Sequence, residues 1–331
     1  MTKDTSPIAL LLTHSGDFYT PDIVASRLSA LGYRPIRFNT DTYPTDWVIT
    51  ERMANQGHTV TWEGPDGSFE STEVAGLWLR KVYAPKVSPD LDESFANSVI
   101  HESKFVRDGA LASLYSLPCI DPLPTVIQAG DKFWQLREAQ RAGLTIPETL
   151  ITSNPEEVKT FFHQQKGEVI AKMMTHLSQS MDASGPAVYT NRLEEEDLND
   201  LDSLVYCPMT FQRAIPKDYE LRVAYVGGKC FAGKINATQS TQGQTDWKKS
   251  TGETGWEPYT LPDTVSQQIT TMMQALGLEF GALDLIKETN RGYVFLEVNP
   301  SGEWGMLQKD LDLPIGEAIA DHLHSLIRQR Q

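Results

Sequence analysis

The N-terminal segment combines a strand, a helix and a second strand, and this order restricts the possible folds more than any other feature of the sequence. Ile8–Leu12 is a short apolar run typical of a buried strand. Thr20–Leu31 has the spacing of an amphipathic helix, with Pro21 in its first turn and Gly32 directly after its end. Pro35–Phe38 follows as a second short strand. This order predicts two parallel strands joined by a helix, and so a small parallel sheet.

The rest of the chain does not repeat that unit. The run Cys119–Pro124 contains two prolines, which is typical of a boundary between lobes. From Pro208 onward strands dominate and helices become rare, and Gly227-Gly228 between two of these strands predicts a hairpin. The pattern predicts an α+β fold of three lobes. Their predicted bounds are 1–120 for an N-terminal α/β lobe, 121–205 for a central lobe and 206–331 for an antiparallel-rich C-terminal lobe.

Composition excludes several classes of protein. The 331 residues are too many for one small core, and 40% hydrophobic with 22% charged residues argues against a disordered chain. Arginine and lysine number 29 against 44 aspartates and glutamates, and the net charge of −15 disfavours general binding to nucleic acid or to an anionic membrane. No apolar run approaches the roughly 18 residues of a spanning helix, and Met1–Pro7 lacks the basic-then-apolar pattern of a secretory signal. Three scattered cysteines are typical of reduced thiols, so we expect a cytoplasmic protein.

Two apolar segments near the C-terminus each contain a carboxylate. Asp284 interrupts Ala282–Ile286, and Glu297 and Asn299 lie two residues apart within Val294–Pro300. Residues two apart in a strand project from the same face. If the two strands pair, three oxygen ligands come together in a site suited to magnesium bound to phosphates. The alternative for Glu297 alone is a solvent-facing position, with Asn299 in a simple turn.

Four charged residues fit the same chemistry. Lys172 lies inside an apolar strand, and Lys132 opens a helix after the proline-rich boundary, where the alternative for Lys132 alone is a surface position. A lysine is a compact cation suited to a phosphate oxygen. A turn around Pro216 joins two strands and offers backbone N–H and C=O groups to a purine edge. Glu220 and Arg222 follow on one face, where Arg222 can form a bidentate contact with phosphate or carboxylate; the alternative is a solvent-exposed ion pair.

Together these features resemble the ATP-grasp superfamily, and more narrowly the maturases of ribosomally made peptides of the microviridin or graspetide type. The resemblance extends over essentially the whole chain, and it implies a nucleotide between the central and C-terminal lobes. The segments that carry it are Leu11–Asp17, Arg37–Asp41, Trp78–Lys81, Tyr206–Gln212 and Phe295–Gly305.

The resemblance implies ATP and Mg²⁺ as cofactors and a role for each matching residue. One departure is that the segment Thr175–Pro186, which would cover the phosphates, contains a single glycine. The resemblance implies that the phosphates are bound by Lys132 and Lys172, adenine by Gln212, Ala214 and Ile215, and the nucleotide also by Glu220. The cations at the transferred phosphate and the acyl phosphate would be Arg222, Lys234 and Arg80. Magnesium would be held by Asp284, Glu297 and Asn299.

In this family a side-chain carboxylate of a precursor peptide is activated as an acyl phosphate, and a lysine amine or a Ser/Thr hydroxyl then closes a lactam or a lactone. The opening Leu-Leu-Leu-Thr-His-Ser-Gly-Asp segment resembles the lactam-forming branch. The precursor would have a helical leader and an acid-rich core, and the enzyme would be a homodimer.

Residues that would contact the precursor can be predicted from charge. An acidic helix over Leu193–Leu201 would contact a basic leader residue through Glu196, Asp197 and Asp200; the alternative for each of these residues is a solvated position on an acidic helix. An acid-rich core would need a local cationic cleft, because the enzyme is itself acidic. The candidates for that cleft are Arg80, Lys81, Lys248 and Lys249.

Two alternatives stay open from the sequence. One is a carboxylate–amine ligase that adds amino acids to a protein or peptide, and the other is a non-catalytic nucleotide-binding regulator. The combination of Lys172, Arg222, Asp284, Glu297 and Asn299 argues against the regulator, because binding alone does not need the whole set.

Overall fold

The N-terminal part of the computed structural model alternates strands with helices. The structure describes residues 5–172, 191–235, 255–289 and 291–330. The elements of this part are β1 (Ile8–Thr13), α1 (Thr20–Ala30), β2 (Arg34–Asn39), β3 (Val48–Ala54), β4 (Gly57–Gly64), β5 (Gly67–Glu70), β6 (Val74–Leu79), α2 (Ala96–Ala112) and β7 (Cys119–Ile120). Strands β2, β1, β6 and β7 form, in that order, a parallel sheet, which confirms the prediction from the opening segment. Strands β3, β4 and β5 form a separate antiparallel sheet.

The central part carries a second sheet. Its elements are α3 (Leu123–Ala129), α4 (Lys132–Arg141), β8 (Thr149–Thr152), α5 (Pro155–Gln164), β9 (Val169–Lys172), β10 (Asn191–Arg192) and β11 (Met209–Arg213). The sheet has the order β10-β9-β11-β8, so β11, which follows residue 205, pairs with strands of the central part. The prolines of the boundary segment open α3, because a proline in the first helical turn loses no hydrogen bond.

The C-terminal part is dominated by a five-stranded antiparallel sheet. Its elements are β12 (Lys217–Val226), β13 (Lys229–Ile235), β14 (Glu257–Tyr259), α6 (Asp263–Ala275), β15 (Phe280–Glu288), β16 (Tyr293–Asn299), α7 (Gly305–Leu311) and α8 (Ile315–Arg330). The strand order is β14-β13-β12-β15-β16. Gly227 and Gly228 form the turn between β12 and β13 with φ of 49° and 91°, and this confirms the hairpin.

The two faces of this five-stranded sheet have different neighbours. Leu221 and Val223 of β12 belong to a core shared with residues of α4 and α6. Ala224 and Val226 belong to the other core, which includes residues of α1 and α8. The sheet therefore joins the N-terminal part on one face and the central helices on the other.

The acidic helix predicted over Leu193–Leu201 is not present. The chain forms a short 3-10 helix at Glu195–Asn199 and a second at Asp202–Tyr206. Glu194 and Asp197 cap the first of these reciprocally, and the Asp197 side chain accepts the Glu194 N–H at 2.8 Å. Adjacent acids repel one another, and short polar side chains bind nearby backbone groups in competition with a longer helix.

Over the residues that the structure describes, no helix is both long and apolar enough to cross a bilayer.

Candidate active site

Two antiparallel strands, β15 and β16, bring the predicted metal residues together, and a third, β12, places Arg222 beside them. In the register of β12, β15 and β16, Arg222 lies opposite Asp284, and Asp284 lies opposite Glu297. Asn299 lies opposite Ala282, which is two residues from Asp284. Directly opposed residues of antiparallel strands project from the same face, and so do residues two apart. The strand pairing on which the metal-site prediction depends is therefore confirmed.

Each carboxylate of this group has a cationic neighbour. Arg222 donates from Nη1 to Oδ1 of Asp284 at 2.7 Å, and both side chains are buried. Lys132 Nζ lies 2.9 Å from Oε2 of Glu297. Lys132 opens α4, so the central helices contribute one cation and the C-terminal sheet the other. A buried charge needs such a partner to offset its loss of hydration.

The ligand atoms that these residues offer are all oxygens. Among the described residues no group of three or more His, Cys, Asp and Glu side chains could hold a metal ion. Asp284, Glu297 and Asn299 instead combine two carboxylates with one amide. Magnesium prefers oxygen ligands, and it usually takes one or two carboxylates while water and phosphates complete its coordination. The set therefore fits a magnesium ion bound together with a nucleotide.

One face of the central sheet carries a row of polar side chains. Lys172 on β9 lies opposite Thr210 on β11, and Gln212 follows two residues later on the same face. The Gln212 amide is buried and donates to Oγ1 of Thr149 at 3.0 Å. The hydroxyl of Thr210 is also buried, and it has no hydrogen-bond partner in the part of the chain that the structure describes. Thr210 was not singled out from the sequence, although it lies in the segment Tyr206–Gln212 and two residues before Gln212 on the same strand.

The predicted adenine segment lies between β11 and β12. Ala214 and Ile215 occupy the connection, and the Ala214 N–H donates to the carbonyl oxygen of Glu168 at 2.9 Å. Ala214 therefore uses its backbone donor inside the central part. Glu220 is buried near the start of β12, where it forms an ion pair with Lys217.

Arg213 was not singled out from the sequence. Its guanidinium contacts Glu148 at 2.6 Å and Glu288 at 2.9 Å, and so ties the end of β11 to the end of β15. The two partners are 65 and 75 residues away along the chain, so no local pattern connects them to Arg213.

A second unpredicted residue supports the strand that carries Glu297 and Asn299. Gln135 of α4 is fully buried. Its amide donates to the Val298 carbonyl oxygen at 2.8 Å and accepts from the Val298 N–H at 3.0 Å. β16 is an edge strand, and Gln135 satisfies the backbone groups that another strand would otherwise pair.

Arg80 lies at the carboxyl end of β6, and its side chain is 1% exposed. It donates through Nη1 to the carbonyl oxygens of Ser301 at 3.0 Å and Gly302 at 3.1 Å, and through Nη2 to the carboxylate of Glu303. Lys81 forms an ion pair with the other oxygen of the same carboxylate. Burial alone would raise the pKa of the Glu303 carboxyl, but Arg80 and Lys81 hold it below its ordinary value.

Lys234 does not lie with Arg222. Lys234 is opposite Leu221 in the register, whereas Arg222 is opposite Gly233, so the two cations project from opposite faces of the sheet. Lys234 contacts Glu257 at 3.1 Å and lies over the ring of Tyr219. Adjacent positions on a strand alternate between faces, so the role of Lys234 at the transferred phosphate stays a prediction that the register does not support.

The residues predicted to contact the precursor lie at several places. Glu196 and Asp200 are exposed, whereas Asp197 caps its own 3-10 helix. Arg80 and Lys81 are paired with Glu303. Lys248, Lys249 and the segment Thr175–Pro186 lie outside the described residues.

Comparison with known proteins finds one matching family model and several similar solved structures. Residues 8–127 match the family model "MvdD pre-ATP grasp domain". Two of the similar solved structures come from Microcystis aeruginosa MRC. The chain is 33% identical to the macrocyclase MdnC, solved with the precursor peptide MdnA, over 96% of this chain and 99% of that one, with a TM-score of 0.84. It is 40% identical to the macrocyclase MdnB over 96% and 99%, with a TM-score of 0.79.

A third similar structure is a RiPP-associated ATP-grasp ligase from Chryseobacterium gregarium, in complex with ADP and with a leader and a core peptide. It is 30% identical over 96% of this chain and 97% of that one, with a TM-score of 0.89. Human N-acetylaspartylglutamate synthase A is a more distant relative, 24% identical over 62% of this chain. The chain spans about half of that human protein, 52% of its length.

Proposed function

The chain belongs to the ATP-grasp family of peptide macrocyclases, and from this membership we propose that it uses ATP to close rings in a ribosomally made precursor peptide. The activated group would be an Asp or Glu side chain of the peptide. A lysine amine would close the ring and give a lactam. The alternative is a Ser or Thr hydroxyl, which would close the ring as a lactone.

The proposed nucleotide site lies between the central sheet and the C-terminal sheet. Lys172 and Lys132 would neutralise phosphate oxygens, and Gln212 with the segment around Ile215 would contact adenine. Asp284, Glu297 and Asn299 would hold magnesium, which supplies charge neutralisation at the transferred phosphoryl group. The support for this placement is the strand register, together with the ADP bound to the Chryseobacterium relative.

The first step would transfer the terminal phosphoryl group of ATP to the peptide. A carboxylate oxygen attacks the γ-phosphorus, the bond from that phosphorus to the bridging oxygen breaks, and ADP leaves with the electron pair. Arg222 would orient the transferred group, because Nη1 binds Asp284 and the planar guanidinium suits a phosphate.

The second step would form the ring. The amine attacks the acyl carbon, the bond to the phosphate oxygen breaks, and inorganic phosphate leaves while the nitrogen loses a proton. The resulting peptide is one water lighter, and the developing oxyanion would be stabilised by the positive charge of Arg222.

Within the structure, the single observation that carries this assignment of the site is the alignment of Arg222, Asp284 and Glu297 across three strands. The test is mass spectrometry of a leader-containing, acid-rich precursor incubated with the protein, ATP and magnesium. We expect loss of about 18 Da per ring, from the stoichiometry of amide or ester formation, with matching release of ADP. Resistance of the product to mild base would indicate lactams, and lability would indicate lactones.

A matched pair of variants tests the site. Glu297→Gln removes one proposed ligand charge and should abolish turnover. Glu156→Gln changes an exposed glutamate of α5 that pairs with Lys159, and should leave turnover unchanged. Near-normal ring formation by Glu297→Gln would contradict the assignment of Glu297.

The identity to human N-acetylaspartylglutamate synthase A favours a second candidate, the addition of amino acids to a peptide or protein. The same experiment separates the two, because ligation adds the mass of an amino-acid residue and cyclisation removes water. No mass change and no ADP release with several precursors would favour a nucleotide-binding regulator.

A further inference from the structure

Glu303 joins the N-terminal sheet to the proposed reaction site. Its carboxylate lies between two cations that follow β6, with one oxygen on Arg80 and the other on Lys81. Arg80 also binds the carbonyl oxygens of the two preceding residues, Ser301 and Gly302. Three consecutive residues after β16 are thus held by one buried guanidinium of the N-terminal part.

The backbone of the same residue contacts the reaction site. The carbonyl oxygen of Glu303 accepts from Nε of Arg222 at 3.2 Å and from Nη2 at 3.0 Å. The remaining nitrogen of Arg222, Nη1, binds Asp284. Little space is left for movement, because a Cβ on Gly302 would lie 2.9 Å from Nη2 of Arg222. All three nitrogens of this guanidinium therefore have fixed partners.

We propose that Glu303 is a positioning residue for the ring-forming reaction. Its carboxylate, anchored on Arg80 and Lys81, fixes its own carbonyl oxygen, and this oxygen sets the orientation of the Arg222 guanidinium. The inference rests on the proposed function, because it assigns Arg222 to the transferred phosphate.

The physical reason is preorganisation. A guanidinium that stabilises developing charge acts best when its orientation is fixed before the reaction. A displacement of about 1 Å caused by a change far from the chemistry can lower the rate about a hundredfold. The Glu303 side chain is 52% exposed, so its ion pairs contribute little to global stability. Glu303→Ala should therefore affect the reaction more than the fold.

The kinetic test compares Glu303→Ala with Glu303→Gln and with the control Glu156→Gln. We expect Glu303→Ala to lower kcat at least about tenfold, while KM for ATP and the thermal midpoint change little. Glu303→Gln should lower kcat less than Glu303→Ala does, because the glutamine amide oxygen can still accept a hydrogen bond from Arg80. Wild-type kcat in Glu303→Ala would overturn the proposal, and so would a loss of kcat matched by a general loss of stability.

A second measurement does not depend on turnover. The Nε–H of Arg222 is hydrogen-bonded to Glu303, and its exchange with solvent can be followed by NMR. Exchange in Glu303→Ala should accelerate at least about tenfold, while the Nε–H of Arg107, bound to Asp108 at 2.9 Å, should not change. Unchanged exchange at Arg222 would refute the positioning role. If the wild-type protein closes no ring, the proposed function fails, and this exchange measurement still decides the role of Glu303.

Discussion

Replacing Gln135 by methionine tests whether one buried amide holds the strand that carries Glu297 and Asn299. Methionine fills a similar volume but cannot reproduce the hydrogen bonds. Gln135 forms three of them, to the Ala129 carbonyl oxygen at 2.6 Å and to both backbone groups of Val298 at 2.8 and 3.0 Å.

The expected magnitude follows from those three bonds. A net contribution of about 1 kcal/mol per bond gives about 3 kcal/mol, and the loss is larger if the buried backbone groups find no other partner. We therefore expect Gln135→Met to lower the free energy of unfolding by about 3 kcal/mol or more. Turnover should also fall, because Val298 lies between Glu297 and Asn299.

Urea titration measures the change in stability, and hydrogen exchange of the Val298 N–H reports the strand locally. Gln140→Met on the same helix is the matched control, because Gln140 is exposed and should change stability by less than about 0.5 kcal/mol. A loss below about 1 kcal/mol in Gln135→Met, with unchanged protection of Val298, would refute the reasoning.

Three further changes test other parts of the structure. Gly302→Ala should lower the free energy of unfolding by about 1–3 kcal/mol and also lower kcat, because the added Cβ would lie 2.5 Å from the Cβ of Ala282 and close to Arg222. Calorimetry measures the change in stability, and an ADP-release assay measures the change in kcat. Burial raises the pKa of Asp121 to about 7 against the opposing backbone hydrogen bonds, so the folded state holds its proton more tightly than the unfolded state. Stability should therefore fall as pH rises from about 4 to 7, and Asp121→Asn should remove that part of the slope in urea titrations at several pH values. Phe211→Ala should lower the free energy of unfolding by about 3–5 kcal/mol, because this ring is buried in the core of the central part. A small change in the denaturation midpoint would contradict that assignment.

Local pattern was sufficient for much of the fold. The strand–helix–strand opening predicted the parallel pairing of β1 and β2, because a short crossover helix leaves few other arrangements. The glycine pair predicted the hairpin between β12 and β13, because positive φ angles are required there. Glu297 and Asn299 could be placed on one face of a strand from their spacing alone.

Local pattern was not sufficient in two places. The acidic segment Leu193–Leu201 has an amphipathic appearance, yet adjacent carboxylates and the capping by Asp197 restrict it to short 3-10 turns. The family resemblance implied that Lys234 lies beside Arg222 at the transferred phosphate. Its actual face depends on the pairing of β13 with β12, which the sequence of β13 does not specify.

The sequence by itself thus determined which strands carry the carboxylates and cations, because side-chain alternation within a strand is a local property. Only the tertiary structure decided which strands are neighbours, and therefore that Arg222 meets Asp284. It also decided that Gln135 reaches Val298 and that Arg80 reaches Glu303, contacts that join residues 163 and 223 positions apart. Such contacts depend on how helices and sheets pack, and packing is set by the whole core rather than by any one segment.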